Sequence, residues 1–448
     1  MAYWTDSSLL AAPQTAFGTV NSTPGDFEAL ECEAPSVSFA TEIAELELLT
    51  GQVGAAPERL PGRRSGTISF KIPLEGFKAG YDPTSEDPGA TGVIPRWLAL
   101  IGNVLGSANA SIVSAATQWA GAHLSNSDYD AAAVTSATTS AITADAASDI
   151  TTDAVIRAGQ LVVTATTAAP TVLQLGFAKS LAGAILSLFE PSKQAVSDNA
   201  ANFYGSANAW LSTAHATQVP QTMLWVGQNA AFAYILQDCI CESFKIDWES
   251  GAVPMVEFNY KFYDYQANKT LGGLVVPDDF TRIPQIVGTI NGYASLSGAL
   301  RCGLKNCTLE FTQEIVEIPC HSASQGIGSV AFRKPRVRVG ASILHDSADL
   351  IYNSAGASVN QGSHVWQAAL ELGTVLSLGV YVGAAPGRCF AFRVPALRLV
   401  EVPAVEVADD GVRYTLVGEA STYSGDSAIN GETAANSPLN ALLTVAVA

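Results

Sequence analysis

The sequence predicts a mainly β fold made of two tandem β-sandwich or β-barrel units, each with one flanking helix. The strongest support is an internal repeat: Phe39–Leu46 reads FATEIAEL, and Phe311–Ile318, 272 positions later, reads FTQEIVEI. Two further landmarks recur in the same order at nearly this spacing, namely Arg63–Arg64 with Arg333–Lys334 (270 positions) and Trp97 with Trp366 (269 positions). Such recurrence indicates a tandem duplication, and duplicated units commonly build symmetric or quasi-symmetric assemblies.

Composition supports β structure and restricts the function. The chain has 448 residues, with 38 glycines and 21 prolines, which favours short strands and turns over long helices. Hydrophobic residues make up 48% and charged residues only 14%, which predicts well-formed cores and a surface that neighbouring subunits partly cover. The net charge of −18 repels phosphate groups, so we expect no tight nucleic-acid binding.

The first unit is predicted to span residues 1–267. Pro and Gly residues punctuate an extended arm over 1–26, and strands are expected at 27–49 and 66–77, where apolar and polar residues alternate. Gly51–Arg64 is expected to be a loop with a basic tip. Pro95 then opens a short helix that reaches Leu105, with Gly106 near its end.

An insertion of about 110 residues is predicted within this first unit, at about 107–215. The repeat spacing falls from 270 positions before this block to 160 after it, where Gly251 corresponds to Gly411. Ala, Ser and Thr dominate the block, and Leu161–Thr166 is typical of a strand. We therefore expect a small β-rich subdomain.

A linker over 268–298, rich in Gly and Pro, precedes a second unit over 299–448. The second unit repeats the plan of the first. Its predicted strands lie near 302–320, 332–345, 376–382, 389–402 and 411–422, and its predicted helix runs from Val365 to Leu372.

The sequence offers no catalytic, cofactor-binding or metal-binding constellation, so we expect a non-enzymatic protein without cofactors. Cys320 and His321 are adjacent, and on a strand they would point to opposite faces. Cys239 and Cys241 share a strand face but lack further ligands nearby, which favours buried thiols. The N-terminus lacks the features of a secretory signal, and the apolar stretch between Arg157 and Lys179 is interrupted by polar residues and Pro170, which favours strands over a membrane span.

Acidic residues recur in the duplicated strands, and two interpretations of them are open. They are Glu42, Glu45 and Glu47 in the first copy, and Glu310, Glu314 and Glu317 in or beside the second. One interpretation is a solvated strand face. The other is a ring of carboxylates lining a channel, whose negative walls would not hold phosphate groups.

Several segments together resemble the major tail tube proteins of long, flexible-tailed (siphovirus-type) phages. They are the arm phrase Thr15–Thr19, the basic pair Arg63–Arg64, the strand end Leu74–Gly76, the helix Ile94–Leu105 and the strand-turn Gln237–Gly251. The resemblance covers most of the chain outside 107–215.

The resemblance implies a structural virion protein, assembled in the bacterial cytoplasm, that polymerises into the hollow tail tube. In that family each unit is a β-sandwich or barrel with one helix, and six units close a ring. A chain with two units is then expected to form trimeric rings with pseudo-sixfold symmetry. The implied partners are further copies of the chain, tape measure protein, tail terminator and distal tail proteins, and DNA passing through without tight binding.

Within that family, the insertion is expected to project outward or to cover the outer wall of the tube. The six acidic residues are candidates for the lumen lining. Alternative functions are another β-rich virion component, such as a baseplate hub, distal tail or decoration protein, and a hydrolase or lectin-like binding module.

Overall fold

The structure is a computed structural model of the chain. It describes residues 7–46, 58–77, 94–105, 136–144, 147, 150–151, 156–166, 172–192, 201–204, 206–211, 218–227, 233–249, 251–267, 293–296, 299–301, 304–320, 326–344, 350–352, 358–360, 369–383, 387–408, 411–432 and 437–447. The described chain is mainly β, as the sequence predicts.

The first half of the described chain contains the helix α1 (Arg96–Leu105), a 3-10 turn at Pro24–Asp26 and fifteen strands. The strands are β1 (Ser7–Pro13), β2 (Glu28–Leu30), β3 (Ser36–Leu46), β4 (Glu58–Pro73), β5 (Ser136–Thr138), β6 (Ala141–Thr143), β7 (Leu161–Thr166), β8 (Val172–Ala182), β9 (Ile185–Leu188), β10 (Ala201–Tyr204), β11 (Ala207–Leu211), β12 (Gln221–Gly227), β13 (Ala233–Glu249), β14 (Met255–Phe262) and β15 (Asp264–Ala267).

The second half of the described chain contributes eleven strands. They are β16 (Tyr293–Leu296), β17 (Ala299–Arg301), β18 (Leu304–Pro319), β19 (Ile327–Leu344), β20 (Leu350–Tyr352), β21 (Ser358–Asn360), β22 (Leu376–Val382), β23 (Phe390–Leu399), β24 (Ala404–Ala408), β25 (Gly411–Ala420) and β26 (Leu443–Val447). Of the predicted second helix, residues 369–371 are helical and 365–368 lie outside the described residues.

Eight antiparallel strands form what we call the front sheet. Their order is β3, β4, β14, β13, β18, β19, β25 and β24. Alternation produces one apolar and one polar face: along β14, Val256 and Phe258 are buried, whereas Glu257 and Asn259 are partly exposed. We call the polar, partly exposed face of this sheet the front face.

The remaining large strands, which we call the second layer, are joined to the front sheet by the pairings of β13 with β15 and of β23 with β25. One group is β2, β1, β12, the first part of β13, and β15. The other is β17, β16, β22, β23, β26 and β11. One hydrophobic cluster contains buried residues of both layers, among them Phe244, Phe311, Met223 and Phe390.

The helix α1 closes this core from one side. Its apolar residues are buried, and the Trp97 ring packs edge-on against Phe390 at 5.8 Å. The indole Nε1 of Trp97 donates a hydrogen bond to the carbonyl of Glu75 at 3.0 Å. The helix boundaries agree with the predicted ones within two residues.

The described residues of the block predicted to be an insertion, which lie between 136 and 211, are rich in strands and pack on the second half of the chain. The sheet of this block has the order β10, β7, β8, β9, β6 and β5. Leu161, Leu175 and Phe177 of this sheet share a buried cluster with Tyr381 and Ala391, which lie on β22 and β23. The strand β11 also pairs with β26, near the C-terminus.

Two predictions for the first unit are wrong in part. Arg63 and Arg64 were expected on a loop but lie on β4, which is a 16-residue strand paired with β3 across a register shift. At this shift β4 has one more residue than β3 around Gly62, and the pairing of the two strands continues on both sides of it. The first 26 residues are not only an extended arm, because Ser7–Pro13 is a strand held between β12 and β2.

Candidate assembly surfaces

Both ends of the front sheet are exposed strand edges. Among the described residues, β3 pairs only with β4, and β24 pairs only with β25. An unpaired edge offers a row of backbone donors and acceptors on which another chain can add a strand. The two edges lie at opposite ends of one sheet, so a pairing between them would join copies head to tail.

The centre of the front sheet is an internal junction between the two halves of the chain. There β13 pairs with β18 through seven residue pairs, from Ser243 with Thr312 to Glu249 with Asn306. The core-facing side chains meet across this junction: Phe244 stacks on Phe311, with ring centroids 5.3 Å apart. Ile246 and Leu309 are fully buried at the same place.

The residues of β24 that correspond to this junction are exposed. On one side of the comparison, Ile246 of β13 lies opposite Val256 of β14, which lies opposite Ile72 of β4. On the other, Val405 of β24 lies opposite Tyr414 of β25, which lies opposite Ile343 of β19. Ile72 and Ile343 correspond in the repeat, 271 positions apart. Ile246 and Val405 therefore hold equivalent places.

The exposures at these equivalent places differ greatly. Ile246 is 0% exposed and Val405 is 52% exposed. Two residues further along, Trp248 is 3% and Val407 is 82% exposed. At the opposite edge, Phe39 of β3 remains 37% exposed. The apolar core of the front sheet is thus closed at its internal junction and open at both outer edges.

A row of alternating charges crosses six strands of the front sheet and ends on β23, which pairs with β25. In order of direct cross-strand pairing, the row is Lys71, Glu257, Lys245, Glu310, Arg338, Glu419 and Arg398. Each neighbouring pair has opposite signs, which is the favourable arrangement for directly opposed residues. The row holds four cations and three anions, so its net charge is close to zero although the chain carries −18.

Glu317 is the acidic candidate with the strongest contacts. Its carboxylate accepts hydrogen bonds from Arg63 at 2.7 and 3.0 Å and from Lys261 at 2.9 Å. The Arg63 hydrogen bonds are the main reason that the pKa of Glu317 falls from 4.5 to about 2, although partial burial opposes the fall. This cluster joins β4 and β14 to β18, and the guanidinium of Arg63 lies over the Tyr263 ring.

The other acidic candidates have different surroundings. Glu314 is exposed and pairs with Lys334 at 3.0 Å. Glu310 belongs to the alternating row, and Glu42 is exposed on β3. Glu45 lies on β3 with Arg59 as its backbone partner, and Glu47 lies outside the described residues. The structure thus places Glu310, Glu314 and Glu317 on the central strand β18 and leaves Glu42 and Glu45 on the edge strand β3.

The alternating row was not predicted from the sequence, although most of its members leave a local signal. A single charged residue stands between two apolar residues, as in Phe70-Lys71-Ile72, Phe244-Lys245-Ile246 and Leu397-Arg398-Leu399. This pattern indicates a strand with one charged position on its polar face. The pairing of opposite signs depends on register, which the sequence does not display.

The Glu317 cluster predicts an acid-sensitive contribution to stability. A carboxyl group whose pKa is lowered by folding stabilises the fold above its ordinary pKa and loses that contribution as pH falls through the folded value. We expect Glu317→Gln to lose less stability than the wild type between pH 4.5 and about 2. Urea unfolding midpoints across this range measure the effect, with the exposed Glu314→Gln as control. Equal pH dependence in both variants would contradict a special role for Glu317.

Of the remaining chemical candidates, Cys320 is partly exposed and His321 lies outside the described residues. Cys239 and Cys241 are fully buried in the main hydrophobic cluster, where burial raises the pKa of both thiols. In the part of the chain that the structure describes, no three or more His, Cys, Asp or Glu side chains are grouped to hold a metal ion. None of the described helices has the length and apolar character needed to span a membrane.

Comparisons with known proteins add no family. No protein-family model matches this sequence, and no curated protein matches it significantly.

Proposed function

We propose that this chain is a structural protein that polymerises through its front-sheet edges into the hollow tail tube of a long-tailed phage, through which the DNA genome passes. The observation that carries the proposal is the pair of open edges. Val405 and Val407 are exposed where their equivalents Ile246 and Trp248 are buried by a neighbouring strand. A second copy that supplies β3 to β24 would bury them as β18 buries Ile246 and Trp248.

The proposed function treats the chain as two equivalent units side by side in one sheet. The pairings support this, because β4 lies between β3 and β14 in the same way that β19 lies between β18 and β25. The internal β13–β18 junction then serves as the template for the junction between chains. A head-to-tail contact that repeats the internal geometry closes into a ring when the rotation per unit divides a full turn.

The strand register supports closure into a barrel. Four successive cross-strand pairings connect Ser36 with Ser69, Asn259, Ser243 and finally Thr312. The residue equivalent to Ser36 in the repeat, 272 positions later, is Thr308 and not Thr312. The row therefore shifts by four residues over four strands. With about 3.3 Å per residue and about 4.8 Å between strands, this corresponds to a strand tilt of about 35°, which is within the range of closed barrels.

Three chains are the ring size that the proposal favours. Each chain provides eight front-sheet strands, so three chains provide the six units that the resemblance to tail tubes implies. At this tilt, such a barrel would be about 45 Å across between opposite backbone walls. The front face would line the lumen, because the other face of the sheet is covered by the core and the second layer.

The template predicts which residues meet between chains. Lys245 with Glu310 at the internal junction corresponds to Ala404 of one chain with Ser38 of the next. We expect the double variant Ala404→Cys/Ser38→Cys to form covalent chain-to-chain disulfides under mild oxidation, because directly opposed strand residues have Cβ atoms close together. Non-reducing gel electrophoresis after oxidation measures the product.

Two controls define the outcome. Neither single cysteine variant should give cross-linked species of several chains. Lys245→Cys/Glu310→Cys should form a disulfide within one chain. Absence of intermolecular disulfides in the double variant, when the internal control cross-links, would contradict the β24–β3 pairing.

A further inference from the structure

The alternating row supplies an inference that rests on the proposed function and deepens it. We infer that the front face is a charge-compensated track, built so that a duplex DNA can pass along it without being held. The row crosses seven adjacent strands with strict alternation, from Lys71 to Arg398. The first six side chains lie on the front face, and Arg398 is exposed on β23 beside Glu419.

The cations of this row would bind phosphate if they stood alone. Lysine and arginine near DNA release counterions and supply most of the affinity of non-specific binding. Four of them at one level of a sheet would form a basic stripe. Lys245 and Arg338 instead have a carboxylate on each neighbouring strand, and Lys71 and Arg398, at the ends of the row, have one each.

Several contacts show that this compensation is local. The Lys71 ammonium lies 3.6 Å from Glu257, and Arg338 pairs with Glu401 in addition to its cross-strand neighbours. A neighbouring row consists of neutral polar residues over five strands, namely Ser36, Ser69, Asn259, Ser243 and Thr312. The face therefore combines hydrophilicity with little net charge, so a phosphate backbone meets neither a basic stripe nor a strongly repelling wall.

An alternative role for the row is only to stabilise the sheet through cross-strand ion pairs. The two roles differ in what a change of net charge does. Stability depends on the individual pairs, whereas DNA affinity depends on uncompensated cations. Variants that break pairs with and without changing the net charge therefore separate them.

The test uses three double variants of the full chain. Glu257→Gln/Glu310→Gln raises the net charge of the row by two. Lys245→Gln/Glu310→Gln breaks ion pairs but leaves the net charge of the row unchanged. Glu28→Gln/Glu371→Gln adds two positive charges to the chain at exposed positions outside the front sheet. Fluorescence anisotropy with a short labelled duplex, measured from low to moderate salt, reports binding. Circular dichroism and urea midpoints verify folding of each variant.

We expect DNA binding to rise only in Glu257→Gln/Glu310→Gln. Its logarithmic salt slope should steepen by about 2, so that a tenfold rise in salt weakens its binding about a hundredfold more than that of the other proteins. Tight duplex binding by the wild type, or equal binding by all three variants, would overturn the inference. Ring formation is measured separately. Rings without this binding pattern would contradict only the inference about the front face, and this binding pattern without rings would contradict only the proposed tube.

Discussion

Replacing Asp426 with alanine is expected to destabilise the protein by about 3–5 kcal/mol, because it leaves a buried guanidinium without its counter-ion. Arg393 of β23 and Asp426 form an ion pair in which both side chains are 0% exposed, with Nη2 and Oδ2 2.5 Å apart. The Asp426 carboxylate also accepts hydrogen bonds from the Tyr423 hydroxyl and the Asn440 backbone N–H.

This ion pair holds the predicted insertion against the second half of the chain. The guanidinium of Arg393 lies 4.9 Å from the Phe189 ring centroid and 5.7 Å from that of Phe177, and both phenylalanines belong to the insertion. Two further buried carboxylates reinforce the attachment: Glu190 accepts a hydrogen bond from Ser295 at 2.6 Å, and Glu432 accepts one from the Ala158 N–H at 2.7 Å. Loss of Asp426 should therefore loosen the insertion first.

Denaturant unfolding measures this effect, and two variants complete the experiment. Glu401→Ala removes the partner of Arg338 from an exposed ion pair and should cost no more than about 1 kcal/mol. The double variant Arg393→Met/Asp426→Leu should recover much of the lost stability, because it removes the unpaired charge. A cost for Asp426→Ala as small as that for Glu401→Ala would show that the pair does not fasten the insertion.

The double variant Val405→Lys/Val407→Lys is expected to abolish association between chains while the chain stays folded. These side chains are already 52% and 82% exposed, so the folded chain accommodates lysine at little cost. At a junction that repeats the β13–β18 pairing they would be buried in an apolar core, where an unpaired ammonium is strongly unfavourable. Lysine on a strand edge is also a natural device against strand addition.

Leu372→Lys is the matched control, because Leu372 is 80% exposed and lies outside the strands of the front sheet. It should assemble like the wild type. Sedimentation velocity at assembling concentrations, together with circular dichroism, measures both properties. Assembly of the valine variant at wild-type concentrations would exclude β24 as a contact edge.

The strand plan was largely predictable from the sequence, because alternation is a local property. The predicted strands at 302–320 and 376–382 agree with β18 and β22, and the helix before Leu105 is confirmed. Arg63 and Arg64 were misplaced because Pro and Gly around them are typical of loops, whereas a long-range partner, Glu317, and the pairing with β3 hold them in a strand.

The candidate surfaces were less predictable, because they depend on contacts between distant segments. Lys245 and Glu310 are 65 positions apart, and nothing local shows that they are opposed. The exposed side chain of Val407 indicates a contact surface only when it is compared with buried Trp248 at the equivalent place. The docking of the insertion on the second half likewise depends on Arg393 meeting rings more than 200 positions away.

The mass of a single ring tests the central claim most directly. The purified chain, examined by native mass spectrometry and by electron microscopy of the same sample, should form rings of three chains. Three chains of 46.6 kDa give a ring of about 140 kDa with six nearly equivalent inner segments. A ring of six chains, two units stacked along the axis, or a chain that stays monomeric at high concentration under all salt conditions would contradict the proposal.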